Sequence, residues 1–140
     1  MDTACVFCAI SAGQAPASVV YQDDDIMAFM DIRPVNQGHL LVIPRRHATD
    51  LAELDEQIGA RCFTVAQRLA AGLRRSGVRC EGINLFLADG VAAGQEVFHV
   101  HLHVIPRYAG DGFRLIITYP PFPPDRPELD TLAARIRDSY

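Results

Sequence analysis

Apolar residues recur at helical spacing through the middle of this chain, and this pattern constrains its fold more than any other feature. The residues concerned are Leu51, Leu54, Ile58, Cys62, Val65, Leu69 and Leu73. Asp50 with Glu53 three residues later has the form of a capping box, and Gly77 is typical of the position after a helix. The spacing predicts one long amphipathic helix from about Asp50, with one face buried against a second layer.

Short apolar segments on both sides of this helix predict the strands of that second layer. Five segments are predicted strands: residues 19–21, 26–30, 38–43, 83–88 and 98–105. The first two flank the acidic turn 23–25 and predict a hairpin, and Pro44 and Pro106 end two others. We predict an α+β fold with a five-stranded, mainly antiparallel sheet, one long helix and a short C-terminal helix.

The composition fits a single folded domain. Of 140 residues, 49% are hydrophobic and 21% are charged, which is typical of a chain with one core. The predicted domain spans 1–140, and residues 108–140 form an extended tail that ends in the short helix, at about 128–138. The proline-rich segment 119–127 within this tail is expected to be extended.

Charge and hydropathy argue against two classes of partner. The formal net charge of −4 argues against binding to a phosphate backbone, so no nucleic acid partner is expected. The apolar stretches fall far short of the roughly 20 residues of a membrane span, so no membrane partner is expected. Residues 1–4 lack the basic start of a secretory signal, and the expected location is the cytoplasm.

Three of the five histidines alternate along the predicted fifth strand. His99, His101 and His103 would share one face, about 6.6 Å apart, because side chains alternate along a strand. Alternating imidazoles are compatible with a metal site. The preceding Gly94-Gln95-Glu96 loop offers backbone donors to an anionic group instead, which favours phosphoryl or nucleotidyl transfer.

The chemistry of imidazole suits phosphoryl or nucleotidyl transfer. A neutral imidazole is a competent nucleophile at phosphorus. Neighbouring imidazoles disfavour protonation of His101, and a backbone carbonyl that accepts from its other nitrogen would fix the tautomer. The sequence therefore predicts His101 as a nucleophile, with a metal-binding triad as the alternative.

The pair Cys5 and Cys8 has the spacing of a redox pair or of half a zinc site. A redox pair of the thioredoxin type follows a strand, and no strand precedes this one. In a reducing compartment zinc is favoured, and His47 and His99 are candidates for the two remaining ligands.

Taken together, these motifs resemble the histidine-triad (HIT) superfamily, in its zinc-containing, bacterial-type, Hint-like branch. The resemblance extends over nearly the whole chain. It rests on Phe7, residues 28–32, residues 38–47, Gly94-Gln95 and the histidine strand. It implies a homodimer in which two sheets join into one, with the C-terminal tail near the partner's site.

The resemblance also implies a role for each site residue. His101 would attack the α-phosphorus, His103 and His39 would contact the phosphate, and Asp31 would bind the ribose. The purine would lie in a slot made by Val6, Phe7, Ile10, Phe29 and Ile32. Gly94, Gln95 and Glu96 would bind the phosphate. Cys5, Cys8, His47 and His99 would bind a structural zinc ion.

The implied activity is hydrolysis or transfer at the α-phosphate of nucleoside 5′-phosphoramidates or adenylates, through a nucleotidyl-histidine, with purine nucleotides such as AMP derivatives as substrates. The alternatives are a dinucleoside polyphosphate hydrolase and a nucleotide-binding signalling module with little turnover. Ala88 departs from the family, which usually has Asn or Gln there to contact the phosphate. Glu96 stands where some members have Ser or Thr.

Overall fold

The computed structural model describes residues 4–140. Residues 1–3, on which part of the expectation about a secretory signal rests, lie outside the described residues. The helices and strands in chain order are α1 (Val6–Ser11), β1 (Val19–Gln22), β2 (Ile26–Met30), β3 (Leu40–Pro44), α2 (Glu56–Arg75), β4 (Gly82–Phe86), β5 (Leu102–Arg107) and α3 (Arg126–Ser139).

The five strands form one sheet in the order β1-β2-β3-β5-β4, and every neighbouring pair is antiparallel. The predicted α+β class, the five strands and the two predicted helices are therefore confirmed. The short helix α1 was not predicted. Among residues 4–140 no helix is long and apolar enough to cross a membrane.

The two faces of the sheet are covered by different parts of the chain. On one face, α2 packs its buried residues against apolar side chains of β2, β3 and β5. On the other face, Phe7 of α1 packs with Met27, Phe29, Leu41 and Ile43. Because both faces are covered, β3 is buried at every position, and β2 at all but its last. The second face also carries the functional site.

Helix α2 begins later than predicted, so the start at Asp50 was wrong. The N-cap is Asp55, whose Oδ1 accepts from the backbone N–H groups of Gln57 at 3.0 Å and Ile58 at 3.1 Å. Asp50 does accept from the N–H of Glu53, but the two residues close an isolated turn. The Leu51 N–H of that turn donates to Asp89 Oδ1, 38 residues away, a contact that local spacing does not reveal.

Strands β4 and β5 are also shorter than predicted. The fifth strand begins at Leu102 and not at residue 98, because the Val100 N–H donates to the carbonyl of Ala48, a loop residue, at 2.8 Å. His99 and His101 therefore lie in the segment before the strand, and His103 lies within it, paired with Leu41 and Phe86. The fourth strand ends at Phe86, two residues before Ala88.

Gly38 makes a close approach between the loop before β3 and the end of α2. Its φ of +96° disfavours any other residue. A Cβ atom at this position would lie 2.9 Å from Val78 Cγ1 and 3.2 Å from Leu73 Cδ2. Glycine therefore allows the loop that leads to His39 and β3 to lie close against the end of α2.

Candidate active site and metal centre

A cleft of about 580 Å³ opens on the sheet face that α2 leaves uncovered. It is lined by every predicted substrate residue except Gln95, and by His101 and His103. His39 is 2% exposed and lies behind His103. Cleft residues that the sequence analysis did not single out are Ala15, Pro16, Ala17, Met30, Arg33, Leu41, Phe86 and Val97.

A row of aromatic rings crosses the cleft with two histidines at its centre. Phe29 and Phe7 have ring centroids 5.5 Å apart, and Phe7 lies 5.2 Å from His101. The ring centroid of His101 lies 5.0 Å from that of His103, which in turn lies 5.7 Å from that of Phe86. The polar imidazoles thus have apolar surface on both sides.

Main-chain contacts determine which nitrogen of each histidine carries a proton. The Val35 N–H can only donate, so Nδ1 of His39, at 3.0 Å, accepts. The Nε2–H of neutral His39 therefore donates to Nδ1 of His103 at 2.8 Å. Neutral His103 carries its proton on Nε2, where it can donate to a ligand oxygen.

Burial favours the neutral form of both histidines in this pair. Desolvation is the main cause that lowers the pKa of His39, and the nearby Asp31 carboxylate opposes it. Desolvation, with smaller effects from His101 and His39, lowers the pKa of His103 to about 4, and Asp31 again opposes the shift. Near neutral pH both rings are therefore uncharged hydrogen-bonding groups.

His101 is held in the tautomer that a nucleophile requires. Its Nδ1 lies 2.8 Å from the main-chain carbonyl of His99, which can only accept, so Nδ1 carries the proton. The lone pair then resides on Nε2. The His101 ring that carries this Nε2 atom lines the cleft and is largely buried, with 8% of the residue exposed. The carbonyl acceptor anticipated from the sequence is present.

The Gln95 side chain lies inside its own loop, not in the cleft. Its Oε1 accepts from the Gly90 N–H at 2.8 Å, and its Nε2 donates to the carbonyls of Thr49 and Val97. The residue is 5% exposed. Its amide shapes the loop whose Gly94 and Glu96 line the cleft, so the predicted direct phosphate contact by the Gln95 side chain has no support from this geometry.

Charged groups stand at the mouth of the cleft. Asp31 Oδ1 accepts from the Arg33 N–H at 2.8 Å, and Asp31 Oδ2 lies 3.5 Å from His39 Nε2. Arg33 Nη2 lies 3.8 Å from Glu96 Oε2, and both side chains are more than 80% exposed. An ion pair exposed to this degree stabilises the protein very little, so a ligand can separate it at low cost.

The four predicted metal ligands converge beside this cleft. One donor atom from each of Cys5, Cys8, His47 and His99 lies within 4.8 Å of the other three. Sulfur–nitrogen distances are 3.3 Å for Cys5–His99, 3.2 Å for Cys8–His47 and 3.6 Å for Cys8–His99. We call these four residues the metal cluster.

The donor set fits a tetrahedral zinc ion. Ordinary Zn–S and Zn–N bond lengths place sulfur and nitrogen about 3.6 Å apart and two nitrogens about 3.3 Å apart. The two Nδ1 atoms of His47 and His99 are separated by 3.2 Å. His99 donates from Nε2 to the Pro44 carbonyl at 2.7 Å, so its Nδ1 presents a lone pair to the cluster. A cation bound by all four donors would satisfy these inward-facing atoms.

Comparison with known proteins agrees with the geometry. The family model for the HIT domain matches residues 12–110. An uncharacterized HIT-like protein of Borreliella burgdorferi is 44% identical over 110 residues, which are 78% of this chain and 79% of that protein.

Solved structures share both the fold and the sequence features. A HIT family protein from Bacillus anthracis superposes with a TM-score of 0.92 at 36% identity, over 100% of this chain and 99% of that one. A Zn-bound histidine triad family protein from Mycobacterium smegmatis gives a TM-score of 0.77 at 40% identity, with 98% of each chain covered.

Two further structures carry functional names. A HIT family hydrolase from Legionella pneumophila has a TM-score of 0.65 and 34% identity, over 84% of this chain and 99% of that one. A histidine triad nucleotide-binding protein from Candida albicans has a TM-score of 0.84 and 26% identity, with 97% and 96% covered. With the domain match over residues 12–110, these similarities show that the chain belongs to the HIT family.

Proposed function

We propose that the protein is a hydrolase or transferase that cleaves at the α-phosphate of purine nucleoside 5′-phosphoramidates or adenylates. The observation that carries this proposal is the tautomer of His101. Its Nδ1–H donates to the His99 carbonyl at 2.8 Å, which leaves the Nε2 lone pair beside the cleft. The names of the Legionella and Candida structures support a hydrolase and a nucleotide ligand, respectively.

The aromatic end of the cleft suits the nucleoside. Phe7 and Phe29 pack edge to face at 5.5 Å, and both line the cleft with Val6, Ile10 and Ile32. We call these five residues the base slot, because apolar and aromatic side chains stack favourably on a purine. Asp31 lines the same cleft, and its carboxylate is an acceptor for ribose hydroxyl groups.

The reaction has two steps. His101 Nε2 attacks the α-phosphorus, and the bond from phosphorus to the leaving group breaks. The leaving group departs with that electron pair and takes up a proton from solvent. Water then attacks the nucleotidyl-histidine and loses a proton to solvent, the P–Nε2 bond breaks, and the nucleoside monophosphate is released with His101 neutral again.

His103 and His39 support both steps without changing their own charge. The Nε2–H of His103 donates to a non-bridging phosphate oxygen, on which negative charge develops in the transition state. His39 fixes this tautomer through its 2.8 Å hydrogen bond to His103 Nδ1. The metal cluster would bind a structural zinc ion, which supplies cross-linking between α1, the segment after β3 and the segment before β5.

Trapping the intermediate tests the proposal. Rapid quench of the protein with an AMP-linked amine is expected to give a protein mass increased by one AMP moiety. His101→Ala should abolish this adduct and lower kcat by at least ~10³-fold, because the nucleophile is missing. His103→Asn is the matched variant, in which the adduct still forms, but more slowly.

Three results would contradict the assignment. An adduct that survives His101→Ala would exclude this nucleophile. A second metal ion per chain that is lost with His101→Ala would favour a metalloenzyme. Tight AMP binding without turnover of AMP-linked amines, aminoacyl adenylates or dinucleoside polyphosphates would identify a binding module. Comparison of the three substrate classes side by side separates a phosphoramidase from a dinucleoside polyphosphate hydrolase.

A further inference from the structure

Helix α1 is too short to be stable by itself and depends on contacts at its two ends. It has six residues, well below the length at which an isolated helix is stable in water. Its C-terminal end is fixed by Arg45, whose Nε donates to Ser11 Oγ and whose Nη2 donates to the Ser11 carbonyl at 2.9 Å. Its N-terminal end carries Cys5 and Cys8 of the metal cluster.

Phe7 lies between these two cysteines and contacts both sites at once. Its ring is 7% exposed, and its centroid is 5.8 Å from that of His99 and 5.2 Å from that of His101. The same ring forms part of the base slot, 5.5 Å from Phe29. One side chain therefore contacts a predicted metal ligand, the predicted nucleophile and the predicted site of the purine.

We infer that Phe7 is a positioning residue that couples the metal cluster to the nucleotide cleft, so that zinc and nucleotide each strengthen the binding of the other. The inference rests on the proposed function. It adds to that function an energetic link between two sites that are otherwise distinct.

The physical reason is the placement of the N-terminal end of α1. A cation shared by Cys5, Cys8 and His99 fixes Phe7 from both sides, through the chain and through the edge-to-face contact with His99. When the cation is removed, the inward-facing donors lose their common partner, and the Arg45 contacts remain only at the far end of the helix. Phe7 then loses its fixed position against the purine and His101.

Phe29 provides an internal comparison. It packs edge to face against Phe7 in the base slot, but it lies on β2, which is paired with β1 on one side and β3 on the other. Its position is therefore determined by the sheet and not by the metal cluster. Loss of the Phe29 ring should weaken nucleotide binding without changing the effect of zinc on that binding.

Two titrations measure the coupling. AMP affinity is determined by calorimetry for the zinc-loaded and the chelator-treated protein, and zinc affinity by chelator competition with and without saturating AMP. The wild-type protein should bind AMP about 10-fold more tightly when zinc is present, and zinc affinity should rise by the same factor with AMP, because coupling is reciprocal. Circular dichroism confirms that each sample remains folded.

The variants identify the residue responsible. Two apolar replacements without a ring, Phe7→Leu and Phe7→Met, should both bring the ratio of AMP affinities with and without zinc to within about 2-fold of unity. Phe29→Leu should weaken AMP binding yet keep the ratio near 10. Retention of the ratio in both Phe7 variants would show that zinc acts by folding the whole chain, and would overturn the inference.

The wild-type result separates this inference from the proposed function. If AMP binds but its affinity does not depend on zinc, the coupling is overturned and the nucleotide assignment stands. If the zinc-loaded protein does not bind AMP, the nucleotide assignment fails and the coupling fails with it.

Discussion

Ala88 is a cleft position at which one substitution tests the proposed reaction directly. It is 7% exposed and lines the cleft. Its methyl group offers no hydrogen-bond donor to a phosphate, and one such hydrogen bond to a charged group contributes about 1.5–3 kcal/mol. Ala88→Asn is expected to raise kcat/KM for AMP-linked amines about 10-fold.

A steady-state assay of purified variants checks this expectation. Ala92→Asn is the matched control, because Ala92 is exposed and does not line the cleft. An unchanged or lower kcat/KM for Ala88→Asn would mean that another donor already contacts the phosphate.

His103 makes stability depend on pH in a defined direction. Its pKa is lowered to about 4 in the folded protein, mainly by burial, with His101 and His39 adding to the shift and Asp31 opposing it. In the unfolded chain a histidine titrates near 6.5. Between these values the unfolded chain binds more protons, so the free energy of unfolding falls as pH decreases from about 6.5 to 4.

Urea unfolding over this pH range checks the direction. At low pH this shift lowers the free energy of unfolding by about 3 kcal/mol. His103→Asn should therefore lose less stability on acidification than the wild-type protein does. The pKa of His39 is also lowered, so part of the pH dependence of the unfolding free energy should remain in this variant. Equal slopes for variant and wild type would contradict the assigned shift.

Residue types and spacing were sufficient to predict which side chains meet at the site. Alternation placed His101 and His103 side by side, and the cysteine pair identified half of the metal cluster. The tautomers could not be predicted fully, because the Val35 N–H that fixes His39 belongs to a loop of irregular conformation. The contacts of the Gln95 side chain could not be predicted either, because one of its partners, Thr49, lies 46 residues away in another loop.

Helix α2 offers a direct test of where an element begins. Asp55 caps its first turn through two backbone N–H groups, whereas Asp50 caps an isolated turn. Asp55→Ala is expected to lower the free energy of unfolding by about 1 kcal/mol, the usual effect of removing an N-cap. Asp50→Ala should change it by less than about 0.5 kcal/mol. Urea unfolding of both variants gives the comparison, and a larger loss for Asp50→Ala would reverse it.

The elements themselves followed closely from periodicity, and their ends did not. β2 spans the predicted residues 26–30, because its continuous run of five apolar residues is a local signal. β5 starts late because Ala48 takes the Val100 N–H out of the ladder, and α2 starts late because Asp89 stabilises a separate turn. Both corrections come from contacts more than 35 residues apart in sequence, which no local pattern contains.

At the scale of the whole molecule, the sheet has two edge strands, β1 and β4. β4 is the last strand in the order, and its Leu85 and Phe86 are 38% and 42% exposed. We propose that two copies pair there as a homodimer with one continuous sheet, since an open apolar edge favours strand pairing. Sedimentation equilibrium should then give twice the chain mass of 15.4 kDa.

A charged residue introduced at each edge of the sheet tests which edge forms the interface. Leu85→Glu would place like charges on both copies near the shared edge and should give the mass of a single chain. Val20→Glu is the matched control on β1 at the opposite edge, where Val20 is 47% exposed, and should keep the doubled mass. A single-chain mass for the wild-type protein would exclude the proposal.

The metal cluster also has a consequence for the biosynthesis of the chain. Cys5 and His99 are 94 residues apart. At ordinary rates of synthesis the two cysteines precede that histidine by roughly 5–19 s. During this interval the two thiols exist without the His99 ligand. A metal bound by all four residues of the cluster would therefore join α1 to the segment before β5 only after His99 has been synthesised.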